Sequence, residues 1–449
     1  MSYFDHLDIP ALKRDYPVAD WLQRFRGTSR DELRALQERR FLALTEFAWK
    51  VPFYQRLWGA AGAEPGDIRS LDDLLRLPTY SKEDLMASVE AHPPLGDFHG
   101  RGAHADPPPM IFHTTSGTTG RPQPLIWGPK SREVQNMLLA RIYALQGIRA
   151  DDVIHSVYGF GMVNGGHYIR EAVNHWVGAQ ILTAGTGAET PSAQQVHLMR
   201  DFGATVLVGF GDYLKRLAEV AREEGLAPGR DIKIRAISGH LGADPAEVLS
   251  GLWGGAEVFD WYGVGDTGTI AGQGPDRQGM HIFEDAQMVE VLDVDTGTPT
   301  DGPGDLVCTC LYKDDLFPVI RFNTHDVTCI LPRENPLGMP FRRMEGFLGR
   351  SDNMVKLRGI NVFPQSIGAL LQAQFPAMTG EFVCRVTAVE GREEMEVLVE
   401  AAGGDPAPMQ DLLKARLGVQ IGVTIVAPGD TAALTQIEQR QKPIRLIRG

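Results

Sequence analysis

ATVLVGFGDYLKRLAEVAREEG, residues 204–225, changes character at Gly211: a short β-rich run, ATVLVGF, gives way to a helical stretch, GDYLKRLAEVAREEG. The neighbourhood repeats the pattern. VIHSVY (153–158), AQILTAG (179–185), IKIRAIS (232–238) and EVFDWYG (257–263) are further β-rich runs, and SAQQVHLMRDFG (192–203) is another helical stretch between them. Such alternation predicts an α/β fold, a parallel sheet with helices on its faces. Ligands of these sheets collect at the carboxyl ends of the strands.

Upstream, TSRDELRALQERRFLALTEFAWKVPFYQRLW (28–58) opens on a capping box of Ser29 and Glu32, carries apolar residues at helical spacing through Leu33, Leu36, Leu44 and Phe47, and stops at Pro52. A long helix is expected there. After Glu284 the helical patterning vanishes, and QMVEVLDVDTGTPTDGPGDLVCTCL (287–311) predicts a hairpin-rich, barrel-like β part with a long polar turn. From Gly349 a mixed tail of about a hundred residues has the size of a small α+β domain. The expected division is residues 1–348 and 349–449, with no internal repeat and no low-complexity segment.

A chain of 449 residues can bury real cores and suits one large multilobed enzyme or two to three domains. At 43% hydrophobic and 22% charged, its composition is that of an ordinary globular protein. The formal charge of −13 opposes nonspecific binding to nucleic acid or an acidic membrane, so any phosphate ligand must be met locally. MSYFDHLDIPALKRDYP (1–17) has neither the apolar stretch of a secretory signal nor the arginine-rich look of a transit peptide, and no segment approaches a membrane span. Four cysteines make no disulfide framework in so long a chain, which points to a reducing cytoplasm. Cys308 and Cys310 would share one face of a strand, as core residues.

HTTSGTTGRP, residues 113–122, crowds small hydroxyls and glycines between the apolar MIF and QPLIW. Glycine lets backbone N–H groups converge, and Thr or Ser adds donors without bulk, so such a loop can wrap an anion. It is no Walker loop, because Gly120 is followed by Arg121 and Pro122 rather than Lys and Ser or Thr. Alone, it reads equally as a clasp for the outer phosphates of ATP or as a flexible surface turn.

Further stretches favour the clasp. DWYGVGDTG supplies Tyr262 and Asp266, PVIRFNTHD supplies Arg321 and Asp326, and GRSDNMVKLRGINVFP supplies Arg350, Asp352 and Gly359. With VPFYQRLW (51–58) and SGTTGRP (116–122), these are the residues by which the chain resembles the adenylate-forming enzymes, and within them the phenylacetate-CoA ligase branch. The resemblance runs along nearly the whole chain in the same order. It implies an ATP- and Mg²⁺-dependent acid-CoA ligase with a large amino-terminal region and a small mobile lid. A carboxylate attacks the α-phosphate of ATP to give an acyl-AMP, and coenzyme A then takes the acyl group.

By that resemblance Thr115, Ser116, Gly117, Thr118, Thr119 and Gly120 hold the β- and γ-phosphates with Arg121 beside them. Tyr262 and Gly263 meet the adenine, Asp266 binds Mg²⁺, Asp326 accepts from the ribose hydroxyls, and Arg350 reaches toward the ribose or the α-phosphate. Gly242, Ala243 and Asp244 match the family's adenine-contacting segment. Lys442 is the lysine that enters for adenylation, Asp352 is the hinge, and Arg358 and Gly359 face the coenzyme A channel.

Tyr158, Phe160, Asn164, His167, His240 and Gly265 are expected to line the acid pocket, the aromatic residues suiting an aryl ring and the polar ones a short hydroxy acid such as 2-hydroxyisobutyrate. Departures from the family are Arg121 for lysine, Asp266 for glutamate and His325 where glycine is common, which leaves the backbone before Asp326 open. QGPDRQG and PRENPLGMP stand where many relatives carry clustered cysteines, so no structural zinc is expected. The expected partners are a small carboxylic acid, ATP and coenzyme A, not nucleic acid or membrane, with a homodimer left open. Alternatives are acyl transfer to a carrier-protein thiol and a non-catalytic nucleotide sensor.

Overall fold

The computed structural model describes residues 2–115, 121–241, 246–331, 334–358, 360–389, 392–436 and 443–448. Residues 204–225 form strand Val206–Phe210 and helix Gly211–Glu223, as their patterning predicts. Parallel strands lie side by side in the order Gln180–Thr183, Val153–Ser156, Val206–Phe210, Ala236–His240 and Glu257–Val264. An antiparallel extension through Gly268–Gln273, Met280–Ile282, Arg343–Met344 and Ile330–Leu331 makes a nine-stranded sheet among the described residues. IKIRAIS is overestimated: its strand begins only at Ala236, and Ile232 instead makes an isolated bridge with Pro228.

Successive side chains of a strand point to opposite faces, so each strand serves two cores. Val206 and Val208 join the core that contains Leu138, Leu139 and Ile142 of the buried helix Pro129–Leu145. Leu207 joins Val196, Leu214 and Leu249, from the helices covering the other face. Near the amino terminus Ser29 caps helix Arg30–Ala48, with Glu32 returning a bond of 2.8 Å to the Ser29 N–H. Pro52 opens the next helix, Pro52–Ala60, at a position where its missing N–H is harmless. Arg141, fully buried, ties these layers by donating to both oxygens of Asp285 at 2.9 and 3.0 Å and to the Pro17 carbonyl at 2.7 Å.

The hairpin-rich part is a four-stranded antiparallel sheet of Gln287–Leu292, Gly304–Cys310, Phe322–Thr328 and Gly349–Arg350, with Cys308 and Cys310 fully buried. Beyond it a separate core gathers Val355, Leu357, Ile367, Leu371, Val397 and Leu413. It backs a sheet in the order Gly422–Val426, Arg392–Ala401, Met378–Val389 and Leu446–Arg448. No helix among the described residues is long and apolar enough to cross a membrane.

Candidate active site

Strands Ile111–Thr114 and Pro124–Trp127 pair antiparallel and carry the Thr/Gly loop between them. Its base is closed twice: Thr115 N–H donates to the Gln123 carbonyl at 3.0 Å, and Gln123 N–H donates to Thr115 Oγ1 at 3.1 Å. Thr114 N–H donates to the Met162 carbonyl at 2.8 Å, docking the loop on the segment after strand Val153–Ser156. Ser116, Gly117, Thr118, Thr119 and Gly120 lie outside the described residues, and Arg121 is exposed at the exit.

Asp326 and Arg350 are cross-strand partners, which brings residues 24 apart in sequence into one ion pair. Arg350 Nη1 donates to Asp326 Oδ1 at 2.8 Å, and Tyr262 hydroxyl donates to Oδ2 at 2.7 Å. The rest of the Arg350 fork grips Asp352, Nε to Oδ1 at 2.8 Å and Nη2 to Oδ2 at 2.5 Å. One guanidinium therefore joins the expected ribose acceptor to the expected hinge. His325 adopts the left-handed conformation, φ 56°, which fixes the backbone before Asp326. Its N–H donates to Asn323 Oδ1 at 2.8 Å, its carbonyl accepts from Ser351 N–H at 2.8 Å, and Asp305 stands 3.4 Å from its ring and raises its pKa.

Asp266 is buried beside the loop base, where Gln123 Nε2 donates to Oδ1 at 2.6 Å. Burial pushes its carboxyl up to about 6. Lys313 Nζ donates to the Asp266 carbonyl at 2.7 Å and sits 3.7 Å from the Trp127 ring centroid; burial lowers it to about 8. An added Cβ at Gly265 would come within 2.7 Å of Leu125, so this turn and the loop strand pack tightly. Mg²⁺ fits here as an ion carried by nucleotide: it retains waters and phosphate oxygens and needs only one or two carboxylates. Among the described residues no group of three or more Asp, Glu, His or Cys could cage a metal.

The expected acid-pocket residues fall into two groups. In the first, the Tyr158 hydroxyl lies 2.7 Å from His240 Nδ1, and the His240 ring stacks on Phe210 with centroids 5.2 Å apart and meets Trp261 at 4.1 Å. In the second, His167 packs on His113 at 4.9 Å and on Phe160 at 5.5 Å, while its Nε2 reaches the Phe160 carbonyl at 2.9 Å. Asn164 belongs to neither ring cluster by contact; its Oδ1 accepts from buried Arg132 at 2.5 Å.

Gly263 lies in the strand that ends the parallel run, and Arg358 is exposed with Glu394 4.0 Å away. Gly242, Ala243, Asp244, Gly359 and Lys442 lie outside the described residues. Sequence reasoning missed Phe210, Trp261 and Asp260 as individual residues. Asp260 accepts from Leu241 N–H at 3.2 Å and Trp261 N–H at 2.9 Å, and burial pushes it up to about 7. The available signal was its place between two aromatic residues, Phe259 and Trp261, in an otherwise apolar run two residues before the Tyr-Gly pair.

A parallel sheet with a Tyr–Asp–Arg cluster beside it and a small second core beyond fits the class of adenylate-forming enzymes. The chain belongs to the phenylacetate-CoA ligase family. Residues 359–444 match the family model for the AMP-binding enzyme C-terminal domain. The phenylacetate-coenzyme A ligase of Thermus thermophilus is 34% identical over 393 residues, covering 83% of this chain and 82% of that protein. The structure of 2-hydroxyisobutyryl-CoA ligase in its postadenylation state with 2-HIB-AMP superposes at TM-score 0.83 with 27% identity, covering 96% of this chain and 94% of that one. The same enzyme with 2-HIB-AMP and CoA in its thioesterification state gives TM-score 0.68 at 28% identity, with coverage of 96% and 93%.

Proposed function

We infer that the protein is an ATP-dependent, AMP-forming acid-CoA ligase. The observation that carries this is the Asp326 carboxylate held between Tyr262 and Arg350, with Arg350 continuing to Asp352. Paired acceptor oxygens suit the vicinal diol of a ribose. Their anchorage to Asp352 links nucleotide binding to the boundary between core and lid.

A carboxylate cannot acylate a thiol directly, because its leaving group would be oxide. One of its oxygens attacks the α-phosphorus of ATP, the bond to the bridging oxygen breaks, and pyrophosphate departs. The thiolate of coenzyme A then attacks the acyl carbon, and the C–O bond to AMP breaks. Catalysis of the first step is positioning and charge stabilisation. Thr115 to Gly120 with Arg121 take the outer phosphates, Gly242, Ala243, Asp244, Tyr262 and Gly263 the adenine, and Asp326 the ribose. Asp266 holds Mg²⁺, which when bound neutralises phosphate charge. Residues 1–348 form the core and 349–449 a lid that delivers Lys442, turns about Asp352, and then presents Arg358 and Gly359 to coenzyme A.

The acid is arylacetate-like or a short hydroxy acid. Tyr158, Phe210 and Trp261 favour the aryl ring; the imidazole of His240 set among them favours a substrate with a hydroxyl. The cysteines, none of them in a disulfide among the described residues, agree with a cytoplasmic setting. A screen of aryl, arylacetic and short hydroxy acids for pyrophosphate release, with and without coenzyme A, tests the assignment. One acid should release pyrophosphate and yield free acyl-CoA. Release that yields product only on a carrier-protein thiol would exclude coenzyme A as acceptor, and no release with any acid would reject the ligase.

A further inference from the structure

Arg445 stands three residues after Lys442 and immediately before the edge strand Leu446–Arg448 of the carboxy-terminal sheet. Its side chain is fixed from within that domain. Nη1 donates to Glu381 Oε2 at 2.7 Å and to the Phe382 carbonyl at 2.9 Å, Nη2 donates to Glu381 Oε1 at 3.2 Å, and the guanidinium lies 4.6 Å from the Phe382 ring centroid. Nη2 also reaches Asp212 Oδ2 at 3.4 Å, across the boundary to the large region. With 9% of the Arg445 side chain exposed and its fork already oriented, little rotamer freedom remains to be lost in making that contact.

Asp212 sits in the first turn of helix Gly211–Glu223, directly after strand Val206–Phe210, whose last residue stacks on His240 in the acid pocket. Lys215 shares the carboxylate at 3.0 Å from within the helix. A carboxylate in a first helical turn is stabilised by the helix dipole. Asp212 is thus not left uncompensated when the cross-boundary contact breaks, as a reversible contact requires.

We propose that Asp212 is a positioning residue for adenylation: its pairing with Arg445 latches the strand that follows Lys442 in sequence, Leu446–Arg448, against the helix that follows strand Val206–Phe210, and so favours the lid orientation in which the two side chains meet. This rests on the ligase assignment above. It accords with the closer superposition on the postadenylation complex, TM-score 0.83, than on the thioesterification complex, 0.68. The contact is long, at 3.4 Å, each partner keeps a second one, Glu381 and Lys215, and it serves a lid that must leave, so its effect is modest. The expected shift is roughly two- to fivefold, what a partly screened ion pair supports.

The test separates the half-reactions in the full-length protein. Asp212→Asn should lower acid-dependent pyrophosphate release by that factor while thioester formation from supplied acyl-AMP and coenzyme A holds or rises. Asp212→Glu should restore most of the loss, and Lys215→Met should leave both half-reactions near wild type. A wild-type protein inactive in both assays rejects the ligase assignment itself. Given an active wild type, an unchanged ratio of the half-reactions in Asp212→Asn overturns the latch, and so does the same shift in Lys215→Met. If the asparagine variant does not fold, Asp212→Ser carries the same comparison.

Discussion

Asp326 is held by two neighbours, the Arg350 guanidinium and the Tyr262 hydroxyl. Removing it takes one acceptor from Arg350 and one from the Tyr262 hydroxyl at once. Asp326→Ala should therefore weaken ATP by roughly tenfold or more while the acid is affected less, measured by equilibrium binding of each; hydrogen bonds to a charged group are commonly worth about 1.5–3 kcal/mol. Unchanged ATP affinity would take Asp326 off the ribose. Asp260 makes a pH prediction. Its carboxyl is raised by burial from 3.8 to about 7 in the folded protein, so between those values the folded state holds a proton that the unfolded state has lost. Its stabilising contribution is present below pH 3.8 and disappears as pH rises through about 7. Chemical denaturation of wild type and Asp260→Asn should show the wild type losing stability relative to the variant across that interval, and parallel profiles would contradict it. Asp326 was legible because its motif is contiguous in sequence. Asp260 was not, since its distinction is the absence of water around it.

The strand ends beneath Tyr158 and His240 depend on a close backbone approach. Gly209 and Gly239 are paired across adjacent parallel strands, and a Cβ at Gly239 would lie 1.8 Å from the Gly209 carbonyl oxygen. Gly239→Ala must push the strands apart beneath Tyr158 and His240. A loss of roughly 1–3 kcal/mol is expected, the usual cost of overpacking, seen as a lower urea midpoint together with a raised KM for the acid. An unchanged midpoint would show that the strands yield freely. Strand and helix types in this region were readable from alternation alone, because local patterning governs them. The late start of Ala236–His240 was not, since an apolar run becomes a strand only where a neighbour offers hydrogen bonds.

Across the molecule, the proposed mechanism requires two bodies that meet and separate. Lys442→Ala should reduce acid-dependent pyrophosphate release by about a hundredfold or more, the scale of losing a key electrostatic group, while thioester formation from supplied acyl-AMP largely survives. Equal loss of both activities would assign the lysine elsewhere. The family model on residues 359–444 and the 34% identity to the Thermus ligase place the whole chain in one lineage. The amino-acid order alone carried the α/β class, the family resemblance and the kind of chemistry, because these are written in local alternation and in contiguous motifs. Tertiary folding alone decided that Arg350 bridges Asp326 to Asp352, that His240 lies between Phe210 and Trp261, and that Arg445 finds Asp212. Apart from Arg350 and Asp352, two residues apart, those partners are distant in sequence, and only packing brings their charges and rings within a few ångströms.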